Sequence, residues 1–213
     1  QTQPGDEVIC EYNSHIFNYE GGGPALLSGV QLHPLLADYG ILTSEQISEA
    51  MRPTDHHYAQ TRLICLENTH NRAGGVVYPL PVIEEVAGFA TSQTISMHLD
   101  GARLMNAVIS SGLDPSAYAD HFDSVSLCLS KGLGAPVGSV LVGDAELIDR
   151  AHRFRKMFGG GMRQIGILAA AGIYALDHHI ERLAEDHHHA KILAETRQEL
   201  GYLENDIAWT QTN

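Results

Sequence analysis

Short apolar runs alternate along this chain with stretches whose apolar residues recur every three or four positions. The runs at 8–11, 30–34, 62–68, 95–100, 125–130 and 139–142 have the length and branched character of strands. Between them, 81–91, 102–111 and 144–157 carry helical spacing. Strand and helix in alternation predict an α/β fold, three-layered, on a mostly parallel sheet. The last third differs. From about 164 to 201 strand character is nearly absent, and Ile173, Leu176, Ile180, Leu183, Ile192 and Leu193 set an apolar helical spacing. Two long helices meeting near 177–179 are expected there, and Asp206-Ile207-Ala208-Trp209 reads as the start of another strand.

Composition narrows the function classes. With 213 residues, 44% hydrophobic and 18% charged, the chain can bury a sizeable core and is not disordered as a whole. No apolar run approaches the ~20 residues of a membrane helix. Thirteen Lys and Arg against 26 Asp and Glu give a formal charge of −13, which repels polyphosphate and argues against a nucleic-acid partner. Cys10, Cys65 and Cys128 each sit inside an apolar run, and no Cys-x-x-Cys occurs. They read as buried reduced thiols, which makes the cytoplasm the natural compartment.

Three polar residues occupy equivalent places along the chain. His70 follows Leu63-Ile64-Cys65-Leu66-Glu67-Asn68-Thr69, Asp100 ends Ile95-Ser96-Met97-His98-Leu99, and Lys131 ends Val125-Ser126-Leu127-Cys128-Leu129-Ser130. They are separated by 30 and 31 residues, about one βαβ unit each. Each therefore falls at or just past the carboxyl end of its strand, the edge at which open α/β sheets bind ligands. Lys131 is one of only three lysines, between an apolar run and the turn Gly132-Leu133-Gly134. Period-two alternation puts it on the side of Leu127 and Leu129. A partly desolvated amine there becomes a nucleophile able to form a Schiff base, although position alone favours an exposed loop lysine or an ion-pair partner of Asp100. Asp100, followed by Gly101 and Arg103, suits a protonated heterocycle, and it also suits the N-cap of the next helix.

Leu66-Glu67-Asn68-Thr69-His70-Asn71, His98-Leu99-Asp100-Gly101-Ala102-Arg103, Ser130-Lys131-Gly132-Leu133-Gly134, Pro136-Val137-Gly138-Ser139 and Gly159-Gly160-Gly161-Met162-Arg163-Gln164 together resemble the low-specificity L-threonine aldolases. These are pyridoxal 5'-phosphate (PLP) enzymes of the aspartate-aminotransferase fold, and the resemblance runs over almost the whole chain. It implies retro-aldol cleavage of L-threonine or L-allo-threonine to glycine and acetaldehyde. Lys131 would be the Schiff-base lysine, Asp100 the partner of the pyridinium nitrogen and Arg103 the holder of the substrate carboxylate. His15 would stack on the cofactor ring, and His70 would stand near the β-hydroxyl, where it, or a water it holds, is the expected base. Lys156 and Arg163 resemble residues that reach a neighbouring subunit's cofactor, which implies a homo-oligomer, dimer or tetramer, with shared active sites. The resemblance makes 1–213 the central part of the PLP-binding large domain. The phosphate-cradling loop would then lie before Gln1, and a small C-terminal domain beyond the helical tail and Asn213.

Other signals are weaker. His178-His179 and His187-His188-His189 point in several directions around a helix and read as a solvated face, and His56-His57 as loop residues, so no metal site is expected. Gly21-Gly22-Gly23 and Gly159-Gly160-Gly161 match no nucleotide fingerprint and read as turns. Another PLP lyase acting at Cβ, a racemase on the same scaffold, and a non-catalytic scaffold remain as alternatives.

Overall fold

The structure is a computed structural model that describes residues 1–202 and 209–212. Six strands form one sheet in the order β2–β1–β3–β4–β5–β6. They are β1 (Glu7–Glu11), β2 (Gln31–Leu35), β3 (Thr61–Glu67), β4 (Ser96–Asp100), β5 (Ser124–Cys128) and β6 (Ser139–Gly143). The first five run parallel, and β6 pairs antiparallel with β5. The six strands expected between residues 8 and 142 are all present, with their ends within two residues.

Alternation along the strands builds two different faces. On the first, Ile9, Ile64, Leu66, Leu99 and Val125 form the main core. They pack under α2 (Ser44–Ala50), α3 (Leu80–Gln93), α4 (Leu104–Ser111) and α5 (Pro115–Ala119), which contribute Ile47, Ile83, Val86, Leu104, Ala107 and Tyr118. On the second, Val8, Cys10 and Cys65 lie under Ile16 of α1 (His15–Asn18), and α6 (Ala145–Met157) shares a groove with Ser126 and Leu141. Helix starts are capped by the residues that favour them. Thr43 and Gln46 form a reciprocal capping box on α2, and Asp114 and Asp144 accept the first free N–H groups of α5 and α6.

The tail forms α7 (Gly166–His178) and α8 (Leu183–Glu199), breaking close to the expected place. Its buried stripe is narrower than expected. Leu183, Ala175, Leu176 and Ile180 pack with Leu129 and Leu133, whereas Ile173, Ile192 and Leu193 face outward. Gly172, Ala175 and Ala194 supply buried positions instead, because small residues permit close approach. Two tail histidines are not solvated: the half-buried His187 ring meets Asn106 of α4 at 3.2 Å, and the half-buried His179 donates from Nδ1 to Leu133 O at 2.6 Å. The strand expected at 206–208 lies outside the described residues, and Trp209 stacks on Tyr39 at 3.5 Å. Among the described residues no helix is long and apolar enough to cross a membrane.

Candidate active site

A cavity of about 380 Å³ opens on the second face at the carboxyl ends of β3, β4 and β5. Its floor is Cys65 and Glu67 of β3, His98 and Asp100 of β4, and Ser126 of β5. These share one face because the side chains between them turn into the main core. Its wall includes His15 and Glu20, and Phe158 closes another side.

Asp100 ends β4. Its Oδ1 accepts the Ala102 N–H at 3.1 Å, which leaves Oδ2 outside that turn. The N-cap expectation is corrected in detail: α4 begins only at Leu104, and Arg103 (φ −127°, ψ 32°) is not helical. Glu67 lies opposite Asp100 in the ladder. Both Glu67 oxygens are engaged: Oε2 accepts the His15 N–H at 2.8 Å and Oε1 the Asn71 N–H at 3.0 Å. The His15 ring, half exposed, places Nε2 3.0 Å from Glu20 Oε1 and leans on Tyr19.

His98 lies deeper. Its Nδ1 is 2.7 Å from Ser124 Oγ, and that hydroxyl donates to Gln1 Oε1 at 2.9 Å. The serine proton is thus committed, so Nδ1 carries the imidazole proton and Nε2 the lone pair. Burial pushes the His98 pKa below the ordinary imidazole value, while the Asp100 charge and the serine contact pull it back up.

Other expected residues lie elsewhere. His70 is buried and outside the cavity lining. Its Nδ1 accepts the Ala73 N–H at 3.3 Å and its Nε2 donates to Glu11 Oε2 at 3.0 Å, so no lone pair is left to take a substrate proton. The ring also packs on Gly40, where a Cβ would collide with it. Lys131 is half-buried, three residues past the end of β5. The alternation expected to orient it has stopped at Cys128. The loop that follows closes through Leu129 N–H to Gly138 O (2.9 Å) and Gly134 N–H to Lys131 O (2.8 Å). Arg103 Nε is buried without a hydrogen-bond partner among the described residues. Lys156 folds against Gly161, and Lys156 and Arg163 are exposed. The structure therefore brings His15 and Asp100 into one cavity and places Lys131, Arg103, His70, Lys156 and Arg163 outside its lining. Glu67 and His98 escaped the sequence reading. The available signal was alternation, which sets both beside Asp100 on the ligand-facing side.

His56 and His57 lie in an exposed loop, with ring nitrogens and the Asp55 carboxylate within 4.8 Å of one another. The His57 hydrogen bonds hold the Asp55 carboxyl below its usual value.

A mostly parallel sheet with a carboxylate-floored cavity at its strand ends defines an α/β protein of the aspartate-aminotransferase fold. The Thermus thermophilus aspartate aminotransferase superposes with a TM-score of 0.70 at 18% identity, over 93% of this chain and 52% of that one. A Leishmania major threonine aldolase gives 0.78 at 20% identity, over 93% and 58%. The chain belongs to the beta-eliminating lyase family, whose model matches residues 1–213. It is 46% identical over 198 residues to the low specificity L-threonine aldolase of Escherichia coli K12, and 42% identical over 204 residues to that of Candida albicans. Those matches cover 92% and 94% of this chain but 59% and 54% of the relatives, so the chain spans little more than half their length.

Proposed function

We propose that residues 1–213 are the central part of the PLP-binding large domain of an aldehyde-lyase that cleaves L-threonine or L-allo-threonine to glycine and acetaldehyde. The observation that carries this reading is the cavity itself. The Asp100 carboxylate stands on its floor and the His15 imidazole on its wall, in a chain 46% identical to an L-threonine aldolase. The cavity residues fit PLP, with a strand-end carboxylate for the ring nitrogen and an imidazole for the ring face; outside the lining, the buried Arg103 Nε has no partner among the described residues. When bound, PLP supplies an electron sink for the pair left on Cα as the Cα–Cβ bond breaks.

Asp100 keeps a proton on the ring nitrogen. Lys131 is the amine that anchors the cofactor. Arg103 holds the substrate carboxylate and so fixes which Cα bond stands ready to break. Because His15 Nε2 donates to Glu20, its Nδ1 lone pair is the acceptor we assign to the β-hydroxyl proton, in place of the buried His70. Exposed Lys156 and Arg163 are free to reach a neighbouring subunit's cofactor in a homo-oligomer. Free Cys10, Cys65 and Cys128 support a reducing, cytoplasmic setting and a role in threonine catabolism and glycine formation.

Borohydride reduction of the PLP-loaded full-length enzyme, with peptide mapping, should place the pyridoxyl mass on Lys131. Glycine and acetaldehyde should appear in equal amounts from threonine. Asp100→Asn should lower kcat/KM by about two orders of magnitude or more. A pyridoxyl mass on another lysine, or an unimpaired Asp100→Asn variant, sinks the reading.

A further inference from the structure

Glu67 and Asp100 are neighbours across the β3–β4 ladder, and both line the cavity. Like charges in such a pair repel unless something else holds them. The structure divides their tasks. Glu67 is 93% buried and gives each of its oxygens to a different backbone N–H. One belongs to His15 at the start of α1, 52 residues earlier in the chain. The other belongs to Asn71, where the chain turns after β3. Asp100, by contrast, engages the backbone through Oδ1.

We propose that Glu67 is a positioning residue: its carboxylate clamps the first residue of α1 to the end of β3 and so sets the His15 imidazole against the cavity beside Asp100. The inference rests on the functional reading given to His15 above. The clamp has a specific chemical requirement. Both partners are N–H donors, so the group between them must accept twice and donate nowhere. A glutamine of the same shape cannot meet that requirement, because one of its two terminal atoms is itself a donor. Glu67 therefore acts as a carboxylate without touching substrate. Its effect on the reaction passes through the place of the His15 ring, which Glu20 holds from the other side at 3.0 Å.

The test compares Glu67→Gln and Glu67→Asp with wild type in the full-length enzyme, by amide hydrogen exchange and by the visible circular dichroism of bound PLP. In Glu67→Gln the amide of His15 or of Asn71 should exchange about tenfold faster or more, while β3 and β4 amides keep their protection. The dichroic band should fall by about half or more with cofactor still attached, and KM for the amino acid should rise more than kcat falls. Glu67→Asp keeps two acceptor oxygens and should recover part of both signals. Unchanged exchange at His15 and Asn71 overturns the clamp. Faster exchange with an unchanged band overturns the positioning role, and so does a Gln variant indistinguishable from Asp. If Glu67→Gln does not fold, Glu67→Asp against wild type reads the same two signals. A wild-type enzyme without a visible band refutes the cofactor reading, and the exchange measurement then decides the clamp alone.

Discussion

Strands β3 and β6 are alike on paper and opposite in the fold. Leu63-Ile64-Cys65-Leu66 and Val140-Leu141-Val142 are both branched apolar runs, yet Ile64 is fully buried while Val142 is 51% exposed. The difference lies in the neighbours. β3 has a parallel strand on each side and cover on both faces, whereas among the described residues β6 pairs only with β5 and leaves Val140 and Val142 uncovered on the first face. The contrast continues along the chain. From Phe154 through Met157, Phe158, Met162 and Ile165 to Ile167, Ile173 and Tyr174, large apolar side chains stay in water. An apolar run states that a segment is to be covered; the sheet decides whether the same chain supplies the cover.

Truncating the two strands should separate them sharply. Ile64 of β3, fully buried in the main core, should cost about 2–5 kcal/mol as Ile64→Ala. Val142→Ala should change stability by less than about 0.5 kcal/mol, because the methyl groups removed already face water. Urea unfolding of both variants measures the gap. Equal losses would mean that β6 is covered in solution and that the two regions are not different in kind.

Legibility divides along the same line. Period and length located all six strands, since pairing in a parallel sheet needs continuous apolar runs and these stand out locally. The strand-end rule located Asp100, and motif resemblance located His15. The remainder depended on pairings invisible along the chain. Nothing next to Glu67 in the chain marks its task, because His15 is brought to it from 52 residues away. His70 reads as a ligand-facing base until Glu11, 59 residues away, takes its Nε2 proton. The orientation of Lys131 could not follow from alternation, because β5 ends three residues too early. In the tail, outward-facing Ile173 and Leu193 looked like core for the reason β6 does.

The exposed apolar belt offers a second, smaller break. Ile167, 86% exposed on α7, should accept Ile167→Asp with little effect on the fold of one chain. If a second copy of the chain is the cover, the charge should weaken self-association by about tenfold or more, read by sedimentation velocity. Unchanged association would leave this stretch outside the contact.

The smallest effect lies on the buried side, at His98. Its imidazole is neutral in the native cavity because burial disfavours the charged form. The folded state therefore takes up a proton at lower pH than the unfolded chain, whose imidazole titrates near the ordinary value of 6.5. In the window from that value down to the lowered native one, the unfolded state holds more protons, so stability rises with pH and is lost on acidification. His98→Asn keeps an N–H donor for Ser124 Oγ and removes the titration. Its unfolding free energy should fall less steeply below about pH 6.5 than that of wild type. Matching acid limbs would mean that the Asp100 charge and the serine contact, which raise the His98 pKa, offset the cost of burial in full.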